Sequence, residues 1–402
     1  MKIARRAGIV LTSMSAAVAT MAMGVAAPAA DPPGWQIATT VHYGPTGNAS
    51  GYSAVVAPAQ QDAWVFGGTN PGGTSSPTAE RWNGLRWLAS PLPTGLGDFI
   101  VAAAASSPHD VWAVGDGYAL HFNGARWTVA NTWSQAAEVT SVVAISRSDV
   151  WVFGSQAGFS GQAGLGAWHY DGRSWIKATG IATAIYRASA VSRRDIWAIT
   201  ASPRGGSVAR YNGRAWSPIP AADSALAGAQ LDDVLAVSRD SVWISGISPA
   251  SGTDGHLVLA HWNGAQWTRF VPPWPVQQPE RFAPDGAGGI WIPVVTAGDS
   301  PATWILHLSR TGGWTRTRIS AGPGDGVGVG DLALIPGTAT LWGTGGLVTT
   351  TAGGDAAIWE HGMTGIHLAA RAPGNREART APMGALQPSR PVLLGRGGQF
   401  LG

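Results

Sequence analysis

The chain predicts an all-β protein: a single seven-bladed β-propeller of four-stranded antiparallel blades, closed by its N-terminal strand. Three observations predict it. Two interleaved tryptophan series, seven members each, recur with a mean spacing of about 46 residues. Asn-Gly or Asp-Gly pairs sit between short apolar runs, the strongest short-range hairpin signal because both residues tolerate positive φ. The second series starts before the first, and no member of it follows Trp342. That is the phase expected of a ring cut inside one of its units.

The first series follows runs such as Asp-Val-Trp-Ala-Val-Gly and comprises Trp64, Trp112, Trp151, Trp197, Trp243, Trp291 and Trp342. The second mostly closes an Asn/Asp-Gly-x-x-Trp turn: Trp35, Trp87, Trp127, Trp175, Trp216, Trp267 and Trp314. One unit reads most clearly at 139–177. Val139 to Ile145 is a small-residue strand, Val150 to Phe153 a second, Ala167 to Tyr170 a third ending in Asp171-Gly172, and Trp175 to Lys177 starts a fourth. The second strand is apolar on both faces, as in Val111-Trp112-Ala113-Val114 and Ile196-Trp197-Ala198-Ile199. An antiparallel sheet buried on both faces must be stacked between other sheets, and four-stranded sheets stacked around an axis make a propeller. An open solenoid needs polar capping repeats, and neither end shows one.

Gly34-Trp35-Gln36-Ile37 resembles Arg126-Trp127-Thr128-Val129, an outermost strand. The N-terminus is therefore expected to supply the outer strand of blade seven, whose inner three come from about 327–362. In the competing reading Ile366-His367-Leu368 completes that blade locally.

The domain plan has three parts. Residues 1–29 read as a signal peptide: Lys2, Arg5 and Arg6 precede an apolar stretch from Ile9 to Val25 and the small-x-small site Ala27-Pro28-Ala29. The stretch is short and Ser/Thr-interrupted for a membrane span. Residues 34–368 form the propeller. Residues 371–402 lack Trp and strand patterning, are rich in Pro, Gly and Arg, and read as a disordered tail. The expected protein is secreted, extracellular or envelope-associated, with no membrane span once processed, and a monomer.

Charge is sparse, at 12% of residues, and the pI of 9.5 comes from the ends. Without 1–30 and 371–402 the body holds 18 basic and 22 acidic residues. A mildly acidic body argues against nucleic acid as a partner. There is no cysteine, so disulfides and cysteine metal sites are excluded.

Asp171-Gly172-Arg173-Ser174-Trp175 and its Asn-Gly siblings resemble degenerate Asp-box repeats of sialidase-like propellers. Trp64-Val65-Phe66-Gly67-Gly68, followed by Trp82-Asn83-Gly84 and Trp87, is similar to a Kelch repeat. The resemblance covers nearly all of 34–362 and concerns framework residues. It implies a propeller and no particular chemistry, because the arginine cluster and Tyr/Glu pair of sialidases have no counterpart here. Copper-radical oxidases of the galactose oxidase type need a cross-linked Cys and are excluded. No Gly-His…Trp-Asp pairing of the WD40 kind occurs.

Function is expected on the face carrying the two-to-three loops and blade crossings, which vary in length (67–79, 154–166, 246–256, 130–138, 271–280). Trp133 and Trp274 lie in crossings, outside both series. They are candidates for stacking on a sugar or apolar ligand, or for plugging gaps between blades. Counting back nine residues from the Asp position of each Asp-x-Trp run reaches the mouth end of the innermost strand: Ser53, Val101, Thr140, Tyr186, Asp232, Glu280 and Asp331. Arg187 and Arg281 follow one position on. Tyr186, Arg187 and Arg281 join the ligand-binding candidates. Asp232, Glu280 and Asp331 fit a Ca²⁺ site, an acid/base pair for a glycan hydrolase or lyase, or a solvated polar rim. A basic ring of Arg81, His121, His169, Arg210, His261 and His307 reads better as partners of blade aspartates (Asp62, Asp110, Asp149, Asp195) than as a metal site. The functional expectation is a non-catalytic propeller binding carbohydrate or protein, with no cofactor required.

Overall fold

The computed structural model describes residues 34–362, apart from 42–48, 71–73, 98, 134–136, 157–163, 183, 203–205, 249–254, 277, 296–302, 321–325 and 350–352. Seven antiparallel sheets follow one another along the chain and form a seven-bladed β-propeller. Blade one uses Ala49–Ala59, Asp62–Asn70, Ser76–Trp82 and Trp87–Ala89. Blade two uses Ile100–Ser107, Asp110–Gly115, Tyr118–Phe122 and Trp127–Thr132. Blade three uses Ala137–Ser146, Asp149–Gln156, Gly166–Tyr170 and Trp175–Lys177. Blade four uses Ile185–Ser192, Asp195–Thr200, Ser207–Tyr211 and Trp216–Pro218. Blade five uses Gln230–Ser238, Ser241–Ser248, His256–Trp262 and Trp267–Phe270.

Blade six breaks its first strand into Gln278–Pro279 and Ala283–Pro284, both paired with Ile290–Val295, and continues with Thr303–Leu308 and Trp314–Arg318. The two prolines explain the break, since each removes a ladder donor. Blade seven takes Gly326–Leu334, Leu341–Thr349 and Gly353–His361, with Gln36–Val41 outermost, antiparallel to Gly353–His361. Among the described residues one short helix, Pro220–Ala225, follows blade four. First strands of successive blades lie against one another, which places them around the axis. The signal segment, Ile366–Leu368 and the 371–402 tail fall outside the described residues.

The two tryptophan series are two halves of one joint. A first-series Trp projects from the second strand of one blade and meets, edge to face, the second-series Trp of the next. Trp64 meets Trp127 at 5.3 Å, Trp112 meets Trp175 at 6.0 Å, and Trp151 meets Trp216 at 5.9 Å. Trp197 meets Trp267 at 5.9 Å, Trp291 meets Trp35 at 6.1 Å, and Trp342 meets Trp87 at 5.0 Å. At the remaining junction Trp243 and Trp314 share one apolar cluster. Each edge-to-face pair is worth about 0.5–1.5 kcal/mol beyond area burial. The core is therefore divided into seven inter-blade layers.

The hairpin between third and fourth strands repeats one geometry. Asn83, Asn123, Asp171, Asn212 and Asn263 each accept the N–H groups two and three residues on, at 2.8–3.1 Å. The following glycine takes positive φ, for example +92° at Gly172, where an added Cβ would lie 2.7 Å from Ser148 Cβ. Glycine is required there on both counts.

Candidate functional site

The first strands carry a bulge at the same point of every blade. The residue left unpaired is Ser53, Val101, Thr140, Tyr186 and Asp232 in blades one to five. In blade six Glu280 begins the gap in the strand. A bulge adds one residue to one strand and re-aims the side chains around it. In blade seven the structure departs from the sequence count. Gly330, not Asp331, is the bulge residue. The turn into the second strand is one residue longer there, because Trp342 pairs with Ala333, nine residues back, whereas Trp243 pairs with Leu235, eight back.

Asp331 therefore belongs to a second ring, two residues before the partner of each first-series Trp: Ala54, Ala102, Ser141, Arg187, Asp233, Arg281 and Asp331. Blades one to three contribute small residues, and blades four to seven alternate in charge. The nine-residue spacing selects Asp232 and passes over its neighbour Asp233. Several ring members stitch a blade to the next. Ser141 Oγ accepts from Ala188 N at 3.2 Å, Asp233 Oδ2 from Phe282 N at 3.3 Å, and Asp331 Oδ2 from Val55 N at 3.0 Å. In the bulge ring, Ser53 and Thr140 donate to the Ile100 and Ile185 carbonyls of the next blade.

Arg281 crosses the axis. Its Nη1 donates to Ser53 O at 3.2 Å and lies 3.4 Å from Asp331 Oδ2, while Nη2 donates to Val101 O at 2.6 Å. One guanidinium from blade six thus ties blades one, two and seven. Its planar fork suits such a span. Arg187 Nη1 donates to the Thr140 and Tyr186 carbonyls at 3.0 and 3.1 Å.

Burial controls the carboxylates. It pushes Asp331 upward, opposed by Arg281 and by the Val55 and Leu332 N–H groups. Asp233 rises to about 6 through burial, opposed by Arg187 and Arg281. Asp232 rises to about 7, from burial first and then from the Asp233 charge; Arg187 lowers it and Glu280 raises it further. The Asp232 residue keeps some exposed surface, yet its Oδ2 is buried and has no hydrogen-bond partner. Tyr186 is 40% exposed beside it in sequence order around the ring. Among the described residues no group of three or more His, Asp or Glu side chains is placed to hold a metal ion.

The basic ring has a different environment. Arg81 pairs with Asp62, His121 with Asp110 (2.7 Å), His169 with Asp149 (2.9 Å), and Arg210 with Asp195 (2.7 Å). His261 bonds Ser241 at 3.0 Å, and His307 bonds Asp285 at 2.9 Å. Each also covers its cross-strand tryptophan: the four histidines stack at 3.9–4.4 Å, and the arginines lie 4.8–5.1 Å from theirs. These are separate framework pairs: four use the aspartates the sequence predicts, His261 departs by bonding a serine, and His307 uses a different aspartate, Asp285. Asp285 was not foreseen, because it lies four residues before the expected position, at Gly289. It instead caps its own turn, accepting from Ala287 N and Gly289 N.

Trp133 is half-buried against Trp168 and Trp175, at 6.2 and 5.4 Å, and its backbone N–H donates to Gly117 O. Trp274 is half-buried beneath Arg316, whose guanidinium also covers Trp304. The variable loops lie partly outside the described residues, so the axial mouth is the part of this face whose geometry is visible.

Compared by sequence, the chain matches no protein-family model and no curated protein. By structure it is similar to YCF48 bound to a D1 peptide, at 14% identity over 84% of this chain and 99% of that one, with a TM-score of 0.55. It is also similar to a catalytically inactive virginiamycin B lyase from Staphylococcus aureus with quinupristin, at 12% identity over 82% and 99%, with a TM-score of 0.54. The chain is thus a seven-bladed β-propeller.

Proposed function

We propose that this is an exported, non-catalytic propeller that binds a carbohydrate or protein ligand at the axial mouth and the loops around it. One observation carries the reading. Tyr186 and Asp232 occupy the first-strand bulges of blades four and five, and Glu280 the equivalent position in the strand gap of blade six. They lie next to a ring whose arginines are engaged with backbone carbonyls and Asp331. In a chain with only 12% charged residues, framework alone does not account for such a concentration at the axis. The YCF48 propeller is described with a bound peptide, so this architecture is compatible with a protein ligand. Export rests on the composition of residues 1–29; no described helix is long and apolar enough to cross a membrane.

A thermal-shift screen of the secreted protein against oligosaccharides, peptides and divalent ions tests the reading. At least one ligand should raise the melting temperature, and Tyr186→Ala should weaken the response. Incubation with a polysaccharide panel should release no new reducing ends or unsaturated products. Their appearance would replace the binding reading with a hydrolase or lyase.

A further inference from the structure

Apart from the axial mouth, we propose that the outer edge of blade six, Trp314–Arg318, takes an extended acidic segment of a partner protein as an added strand, whose alternate carboxylates meet Arg316 and Arg318.

The Arg316 guanidinium is held in place yet unpaired. It lies over the Trp274 ring at 4.7 Å and over the Trp304 ring at 4.6 Å. Among the described residues its side chain has no hydrogen-bond or ion-pair partner, and neither has that of Arg318. A stacked guanidinium keeps its N–H donors in a fixed plane, so much of the ordering cost is met before an acceptor arrives. The charge of this corner is a separate observation. Residues 256–276 and 303–320, which include the third and fourth strands of blades five and six, hold Arg269, Arg310, Arg316 and Arg318 but no Asp, Glu or Lys. In a body where acidic residues outnumber basic ones, these segments carry positive charge alone and attract an anionic partner.

The strand edge makes that partner a peptide. Trp314–Arg318 is last in its sheet, with no strand beyond it among the described residues, and every residue from Thr315 to Arg318 is exposed. Such an edge offers a row of backbone N–H and C=O groups to an incoming strand. Cross-strand pairs set the direction of its side chains: Leu308 faces Trp314, Leu306 faces Arg316 and Trp304 faces Arg318. Directly opposed residues share a face, and Leu306 and Leu308 belong to the apolar layer between blades five and six. Arg316 and Arg318 therefore stand on the blade-five side, and Thr315 and Thr317 on the other. A strand added here would set alternate side chains, about 6.8 Å apart, opposite the two arginines. Charge on an edge also guards it. Two copies of this edge would repel each other, so the chain itself is a poor occupant and an acidic strand the complementary one.

Isothermal titration of the secreted protein with a capped peptide alternating threonine and glutamate tests the inference. Its glutamine counterpart, an isomer with the glutamates consecutive, and polygalacturonate serve as comparisons. The alternating acidic peptide should bind and its glutamine counterpart should not. The isomer divides its carboxylates between the two faces of a strand and should bind more weakly, and added salt should weaken all acidic binding. Arg316→Gln, checked for an intact melting transition, should weaken binding about tenfold. Arg318→Gln leaves both indole contacts in place and should weaken it about threefold. Trp274→Ala keeps the charge but frees the fork, and should cost about threefold as well. On binding, amide exchange should slow across Trp314–Arg318 and stay unchanged across Trp127–Thr132, the outer strand of blade two. Equal binding of the glutamate and glutamine peptides, no effect of either arginine substitution, no binding, unprotected amides at Trp314–Arg318, or binding of polygalacturonate alone would each overturn it.

Discussion

Removing the tryptophan at the start of the propeller should loosen the ring by an amount the structure sets. Trp35 is half-buried in the cluster that contains Ile305, Leu341 and Trp359, and it meets Trp291 and His361 at 6.1 and 5.1 Å. Truncating a fully buried Trp costs about 3–5 kcal/mol. Half burial scales that to about 2, and the aromatic contacts add about 1. Trp35→Ala should therefore cost about 3 kcal/mol, which for a domain of this size lowers the melting temperature by about 6 °C. Deleting residues 34–41 should cost more. It removes Ile37, five cross-strand pairs and the 2.8 Å bond from Gln36 to Glu360, and it bares Gly353–His361 as a sheet edge. Calorimetry provides the melting temperatures, and amide exchange across Gly353–His361 reports the edge directly. An unchanged melting transition in the deletion would refute N-terminal closure and favour the local reading with Ile366–Leu368.

Three further outcomes follow. Arg281→Ala should destabilise by about 3–5 kcal/mol in urea unfolding, because it leaves Asp331 buried without its counter-charge; Arg281→Lys should rescue only part, lacking the fork that reaches both Ser53 and Val101. Asp232 is raised in the folded state, so the fold binds more protons than the unfolded chain, and its contribution to stability should fall as pH rises from about 4 to about 7. Asp232→Asn should flatten that slope in pH-dependent melts; an unaltered slope would count against a buried Asp232. Asp110 has the opposite sign. Burial pushes it up, but bonds from His121, Ser106 and Trp112 outweigh burial and hold it below its usual range. Its contribution should persist above that range and vanish as pH falls through the lowered value, so Asp110→Asn should blunt acid unfolding.

Much of this was legible in the residues. The phase difference between the tryptophan series encodes a joint between neighbouring blades, and Trp35 falls in register with it as the partner of Trp291. In blades one to four the His and Arg ring was readable as Asp partners because each member precedes the aromatic before the Asn/Asp-Gly turn. It so lies opposite the Trp two residues after its Asp, although the separation varies from 11 residues in Asp110–His121 to 20 in Asp149–His169. The failures come from single-residue events that a periodic count cannot see. One extra residue in the turn before Leu341 moved Asp331 from the bulge to the ring beneath it. In blade six Asp285 reaches the same histidine from four residues earlier. Asp233 was hidden because the bulge leaves Asp232 unpaired, and a fixed nine-residue count reaches that residue alone. Trp133 and Trp274 stood outside both series, yet both are packed against blade side chains.

Carboxyl footprinting tests the central claim most directly. The secreted protein would be labelled with a carbodiimide and amine, with and without the ligand found by the thermal screen, and each site quantified by peptide mass spectrometry. A propeller that binds at its axial mouth predicts protection of Asp232 and Glu280 and unchanged labelling of Asp171, which lies in a hairpin turn between third and fourth strands. Protection of Asp171, with Asp232 and Glu280 labelled as before, would contradict it.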